Sequence, residues 1–102
     1  HMALEKIAVI GAGVIGETLI RALINNGTPS SHIFVAEKRM ERRKEIADTY
    51  KTGEIDGLQA VDVVFLAVKP QDLIETIKSW DKSEISGKLV VTFAAGIKIK
   101  SI

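Results

Sequence analysis

The spacing of hydrophobic residues changes along the chain from short continuous runs to helical periods and back. Lys6–Ile10 is almost continuously apolar, which is typical of a strand buried on both faces of a parallel sheet. From Val14 to Asn26 the period becomes that of a helix, and Gly27 stands where a left-handed helix cap is expected. The apolar residues predicted to share one stripe of this helix are Ile15, Leu19, Ala22 and Leu23.

The rest of the chain repeats this alternation. Further strands are predicted at His32–Ala36, Lys51–Glu54 (very short), Asp62–Val68 and Leu89–Ala94. Helical segments are predicted at Arg39–Tyr50, at Asp56–Ala60 (one turn), and after Pro70, with Leu73, Ile77 and Trp80 on its buried face. Alternating strands and helices imply right-handed crossovers and a parallel sheet.

We therefore predict an α/β fold of the Rossmann type, an open parallel sheet with helices on both faces. The expected strand order is 3-2-1-4, with the Leu89–Ala94 strand beyond the fourth. Ligands of such sheets bind beyond the carboxyl ends of the strands, where the strand order reverses. The segments to inspect are those that directly follow the strands: Gly11–Gly16, Glu37–Arg39, Ala67–Gln71 and Ala94–Gly96.

Composition removes several classes of function. Among 102 residues, 14 Lys and Arg face 13 Asp and Glu, a net charge of +1, which is too little basic excess for nucleic-acid binding. There is no cysteine for a disulfide, a thiolate nucleophile or a zinc site. The longest apolar run, Val63–Val68, is too short to span a bilayer, and no signal peptide is recognisable, so a cytoplasmic domain is expected.

The ends of the chain suggest a fragment of a longer protein. His1-Met2 resembles a cloning scar, so residues 1–3 are assigned to a tag and 4–102 to one domain. The last residues, 98–102, stop in the middle of a pattern without a helix stop or a polar tail.

Gly11-Ala12-Gly13-Val14-Ile15-Gly16 fits the pattern G-x-G-x-x-G between a predicted strand and a predicted helix. Gly11 can form the tight turn, Gly13 lets a pyrophosphate approach the backbone, and Gly16 lets the helix pack against the strand. The helix amino terminus adds N–H groups that point at the phosphates. The pattern favours dinucleotide binding over a glycine turn that serves packing alone.

Glu37 lies 21 residues beyond Gly16, where the dinucleotide-binding pattern places a carboxylate for the adenosine ribose. A carboxylate there favours NAD, whereas the adjacent Lys38 and Arg39 suit the extra phosphate of NADP. For these two cations, cofactor binding and a solvated helix face stay equally open. For Arg42 and Arg43 the solvated face, with Glu–Arg pairs inside the helix, is favoured. The sequence leaves NAD and NADP as alternatives.

Two later segments are candidates for the far side of the crevice. Ala67-Val68-Lys69-Pro70 should face the glycine turn, although the pattern alone slightly favours a helix-start turn with an exposed lysine. Ala94-Ala95-Gly96 would admit a flat ring close to the backbone, or be a tight turn only. No catalytic triad or metal-binding cluster can be assembled, and His32, at a strand start, is expected away from the crevice.

Three of these segments together resemble pyrroline-5-carboxylate reductase. They are Ile7–Gly13 with Gly16-Glu17, then Asp62–Gln71, then Ala94–Ile97, and the resemblance covers residues 4–102, the amino-terminal Rossmann domain of that family. Members usually have Asn or Gln and then Met or Leu where this chain has Val14-Ile15, and often a small or amide residue at the position of Glu37.

The resemblance implies reduction of 1-pyrroline-5-carboxylate to L-proline with NADPH or NADH. It also implies a helical second domain, absent here, that forms a homo-oligomer and completes the substrate pocket. A fragment without that domain should be inactive. The alternatives are an F420-dependent NADP oxidoreductase, a β-hydroxyacid dehydrogenase, or a regulatory or competence-type paralogue. The predicted cofactor-binding residues are Ile10, Gly11, Ala12, Gly13, Val14, Ile15, Gly16, Glu37, Lys38, Arg39, Ala67, Val68, Lys69, Pro70, Ala94, Ala95 and Gly96.

Overall fold

A computed structural model describes residues 5–54 and 57–92, and its centre is a five-stranded parallel sheet. The order β3-β2-β1-β4-β5 is the order predicted from the sequence, with β1 in the middle. Each strand has only two to four residues, so the strands of this sheet are short. The strands are β1 Ile7–Ile10, β2 Ile33–Ala36, β3 Gly53–Glu54, β4 Val63–Leu66 and β5 Leu89–Thr92.

The register brings the strand ends into one row. Ile10 pairs with Ala36 on one side and with Leu66 on the other, and Leu66 pairs with Thr92. Two further bonds extend the ladder past β1: the Gly11 N–H donates to the Ala36 carbonyl at 2.7 Å, and the Ala67 N–H to the Ile10 carbonyl at 2.8 Å. The connections after β1, β2 and β4 therefore emerge side by side.

Helices cover the sheet on both faces, which explains why β1 and β4 are apolar throughout. Val9 and Ile20 lie in one hydrophobic cluster, and Ala8 and Val64 lie in another, all with no exposed surface. Complete burial of a Val, Ile or Leu side chain stabilises the fold by about 1.5–3 kcal/mol. The helices are α1 Val14–Asn25, α2 Met40–Tyr50, α3 Pro70–Lys78 and α4 Lys82–Ile85.

The predicted stripe of α1 was partly wrong. Ile20 is the residue of α1 that is fully buried, whereas Ile15 is 54% exposed. The reason is that Gly16 packs against the end of β1. Residues four and seven or eight positions after Gly16 lie on the same face of the helix and therefore point toward the sheet. Met40 occupies the first position of α2 and is exposed. The predicted cap at Gly27 is confirmed by its φ of 102°.

Three other boundaries differ from the prediction. The single helical turn proposed for Asp56–Ala60 is, over the described residues 57–60, an irregular turn anchored by the buried Leu58. Strand β4 ends at Leu66 rather than Val68, because Ala67 bends toward Gly11. Helix α4 was not predicted, although Asp81 and Glu84 form a capping box at its start.

Candidate functional site

A crevice of about 940 Å³ opens at the carboxyl ends of β1, β2 and β4. It brings together the predicted segments that follow these strands, including Gly11–Gly13, Glu37–Arg39 and Ala67–Lys69. Ala94, Ala95 and Gly96 lie outside the described residues. Val14 and Ile15 line a separate groove on the outer face of α1, and Gly16 is buried beneath the turn.

The turn between β1 and α1 can be made only by glycine at two positions. Gly11 has a φ of 96°, and a Cβ there would lie 2.6 Å from the Ala67 carbonyl oxygen. A Cβ on Gly16 would lie 2.1 Å from the Gly11 carbonyl oxygen. Both distances are far below van der Waals contact, so these glycines fix the close approach of α1, β1 and the segment after β4.

Gly13 differs, because no steric contact requires it. Its φ of −78° suits any residue, and a Cβ there would meet nothing within 4 Å. Yet Gly13 lines the crevice and is the N-cap of α1, so the first N–H groups of the helix border open space. A bare backbone at a helix amino terminus fits a phosphate group. The residues present thus fit a dinucleotide pyrophosphate.

Glu37 follows β2 as predicted, and its carboxylate is turned toward the glycine turn. The side chain is 8% exposed and accepts the Ala12 N–H at 2.8 Å, the Arg39 N–H at 2.9 Å and the Arg39 Nε at 3.1 Å. Burial raises the pKa of this carboxyl, but the hydrogen bonds from Arg39 and Ala12 outweigh it and lower the pKa to about 2. Glu37 is therefore ionised in the folded chain at any ordinary pH.

Replacing Glu37 with glutamine should make the free energy of unfolding less dependent on pH. The folded pKa of about 2 lies below the ordinary value of 4.5, so the carboxylate stabilises the fold above pH 4.5 and loses that effect as the pH falls toward 2. We expect Glu37→Gln to cost up to about 3 kcal/mol at pH 6 and much less near pH 2.5. Urea unfolding of both proteins at the two pH values measures this. If the two proteins differed in unfolding free energy by the same amount at both pH values, the low pKa of Glu37 would be contradicted.

Arg42 contacts the glycine turn, which no sequence pattern indicated. It was expected on a solvated face with pairs inside α2, and its bond from Nη1 to Glu45 at 2.6 Å is such a pair. However, its Nε also donates to the Ala12 carbonyl at 2.7 Å, and its Nη2 to Glu17 at 2.6 Å. Glu17 accepts hydrogen bonds from both Arg42 and Tyr50. Partners 25 to 33 residues apart leave no local signal in the sequence.

The opposite wall of the crevice is formed by α3 and α4. No sequence motif indicated that these helices contribute to the site. Lys69 is the N-cap of α3 and lines the crevice, and Trp80, predicted as a core residue, packs in the core and also faces the crevice. His32 lies in a short 3-10 turn before β2, at the opposite edge, as expected. Across the described ranges 5–54 and 57–92, no cluster of metal-ligating side chains occurs, and none of the helices is long and apolar enough to cross a membrane.

Known proteins resemble the chain in both sequence and fold. It is 38% identical over 111 residues to a pyrroline-5-carboxylate reductase of Corynebacterium melassecola, covering 97% of this chain and 39% of that protein. It superposes with a TM-score of 0.82 on a pyrroline-5-carboxylate reductase of Coxiella burnetii, at 24% identity, covering 94% of this chain and 37% of that one. At this identity, the second similarity shows the fold alone.

A third relative was solved with a nucleotide bound. An imine reductase variant of Myxococcus stipitatus, in complex with NAD+, matches 93% of this chain and 33% of its own length, with 26% identity and a TM-score of 0.74. The chain thus spans between a third and two fifths of the proteins it matches.

The similarities agree with the resemblance to pyrroline-5-carboxylate reductase drawn from the motifs. They also agree with the Rossmann-type fold drawn from the alternation of strands and helices. The sequence model of one family spans the glycine turn, the segment after β4 and the strands between them. Because it matches residues 6–96, the chain belongs to the family described as NADP oxidoreductase, coenzyme F420-dependent.

Proposed function

We propose that the chain is the NAD(P)(H)-binding domain of a reductase that converts 1-pyrroline-5-carboxylate to L-proline. The observation that carries this proposal is the Gly11–Gly16 turn, in which Gly13 leaves the amino terminus of α1 open to the crevice. The names of the curated relatives supply the substrate. In the longer protein, a helical domain would complete the substrate pocket and join subunits into a homo-oligomer in the cytoplasm.

In this proposal, each wall of the crevice takes one part of the cofactor. The N–H groups of Gly13, Val14 and Ile15 would bind the pyrophosphate, because they are the first donors of α1 and point along its axis. The segment Ala67–Lys69 would border the cofactor from across the crevice, while Pro70 begins α3 behind it. The bound cofactor supplies the hydride, while the chain binds and orients it.

Charge at the β2 end of the crevice favours NADP(H) over NAD(H). Lys38, Arg39 and Arg43 line this end together with one carboxylate, Glu37. The Glu37 oxygens already accept N–H groups of the chain, among them the Nε and Nη2 of Arg39. The Arg39 side chain is nevertheless 64% exposed, so the rest of its guanidinium can be reached from the crevice. A guanidinium pairs with phosphate through two parallel hydrogen bonds, so Arg39 suits the 2′-phosphate of NADP(H).

The test is turnover by the full-length protein that contains this chain. We expect oxidation of NADPH when 1-pyrroline-5-carboxylate is added, and kcat/KM about tenfold or more higher with NADPH than with NADH. Arg39→Met should reduce this preference by lowering the rate with NADPH alone, and Lys44→Met, an exposed cation of the same helix, should leave it unchanged.

Other substrates distinguish the alternatives. Turnover of 3-hydroxy acids or of reduced coenzyme F420, without turnover of 1-pyrroline-5-carboxylate, would replace the proposal by one of the related reductases. Binding of NADPH with no reduction of any of these compounds would indicate a regulatory paralogue.

A further inference from the structure

Both polar backbone groups of Ala12 are held by charged side chains from the segment after β2. The Ala12 N–H donates to Glu37 at 2.8 Å, and the Ala12 carbonyl accepts the Nε of Arg42 at 2.7 Å. Ala12 itself is fully buried at the centre of the glycine turn. The peptide groups on both sides of Ala12 are therefore fixed by ions that belong to a different part of the sequence.

Arg42 is itself held in one orientation. Its side chain is 22% exposed, and its three donor nitrogens have separate acceptors: Ala12, Glu17 and Glu45. Glu17 in turn accepts the Tyr50 hydroxyl at 2.5 Å, which ties α1 to the end of α2. Such hydrogen bonds to ions are stronger than neutral ones, and the planar guanidinium fixes their directions.

These bonds restrain the backbone of the turn at the point where its N–H groups face the crevice. Gly11 and Gly13 flank Ala12, and glycine has more backbone freedom to lose on ordering than any other residue. The bond from Arg42 to the Ala12 carbonyl restrains the peptide that carries the Gly13 N–H, because both belong to the same planar group. An N–H fixed in advance binds an anion without a further cost in conformational entropy.

We propose that Arg42 is a positioning residue for the cofactor pyrophosphate, acting through the Ala12–Gly13 peptide without touching the cofactor. This inference rests on the proposed function, since it assigns Arg42 to the same nucleotide site. It also separates Arg42 from its neighbour Arg43, which lines the crevice. Lysine cannot replace Arg42, because a single ammonium group cannot reach three acceptors in a plane.

The test compares ADP, which has a pyrophosphate, with AMP, which has none, by titration calorimetry on the same protein. We expect Arg42→Met to raise the Kd of ADP and of NADPH by about 10-fold or more, and that of AMP by less than about 2-fold. Arg42→Lys should fall between wild type and Arg42→Met. Lys44→Met, which removes an exposed cation from the same helix, is the control and should bind all three as wild type does.

A second readout uses the ligand-free protein. Hydrogen exchange at the Ala12 amide, which donates to Glu37, should become faster in Arg42→Met and stay unchanged in Lys44→Met. If Arg42→Met does not fold, Glu17→Met, which removes one acceptor of Arg42, should also weaken ADP more than AMP, by a smaller factor.

The outcomes separate the two proposals. Equal weakening of AMP and ADP, or no weakening of either, would overturn the role of Arg42 while leaving the nucleotide site in place. A wild-type protein that binds none of the three nucleotides would overturn the proposed function and, with it, this inference.

Discussion

Replacing Gly13 with valine will abolish binding of NADPH and NADH while the chain stays folded. The valine side chain would project into the crevice at the amino terminus of α1 and occupy the approach of the pyrophosphate. We expect Kd to rise by about 100-fold or more, equivalent to about 3 kcal/mol. Because a Cβ at Gly13 meets no atom within 4 Å, the free energy of unfolding should fall by only about 1 kcal/mol, the cost of a poor N-cap. Titration calorimetry and urea unfolding measure the two effects.

Thr18→Val is the matched control for this variant. Thr18 is exposed on the same helix, one turn after Gly13, and its side chain lines the outer groove rather than the crevice. It should bind both cofactors as wild type does. If Gly13→Val also bound them unchanged, the pyrophosphate would have to lie elsewhere.

Gly16→Ala will have the opposite signature, a large loss of stability. The new methyl group would lie 2.1 Å from the Gly11 carbonyl oxygen, and a backbone atom cannot rotate away as a side chain can. Helix α1 would have to move off the end of β1, which breaks its packing through Ile20 against the sheet. We expect the free energy of unfolding to fall by about 3 kcal/mol, a large share of the roughly 5–15 kcal/mol typical of a domain.

Gly27→Ala gives the comparison for Gly16→Ala. Gly27 has a φ of 102°, so alanine there is strained, but a Cβ would meet nothing within 4 Å. Its cost should stay near 1–2 kcal/mol. Urea unfolding that ranks the two variants in the reverse order would show that Gly16 is not the contact that fixes the helix.

The strand order could be predicted from the sequence because two physical rules restrict it. Continuous apolar runs at β1 and β4 required burial on both faces, and the right-handed crossover then left few possible topologies. The buried face of α1 was predicted only in part, because several apolar stripes can be drawn on a helix this rich in Ile and Leu. Only the contact of Gly16 with the Gly11 carbonyl selects among them, and no pattern of hydrophobicity encodes that contact.

The candidate site was predictable where it depends on the chain's local sequence. The glycines and Glu37 stand at set distances along the chain, so their arrangement around one crevice could be inferred. The bond from Arg42 to Ala12 could not be inferred, because Ala12, 30 residues away, offers only a carbonyl that every residue has. The wall formed by Trp80 was not predicted. An apolar residue that lines a crevice has the same spacing along a helix as one that is buried in the core.

Because the strands are parallel, the amino ends of the strands lie at the edge of the sheet opposite the crevice, where a label can be attached. The 3-10 turn Ser30–His32 leads into the amino end of β2, so it lies across the length of the strands from the crevice. Ser31 is exposed there, and the chain has no cysteine of its own. A thiol introduced by Ser31→Cys would thus be unique, and a dye or surface tether coupled to it would leave the cofactor's entrance clear.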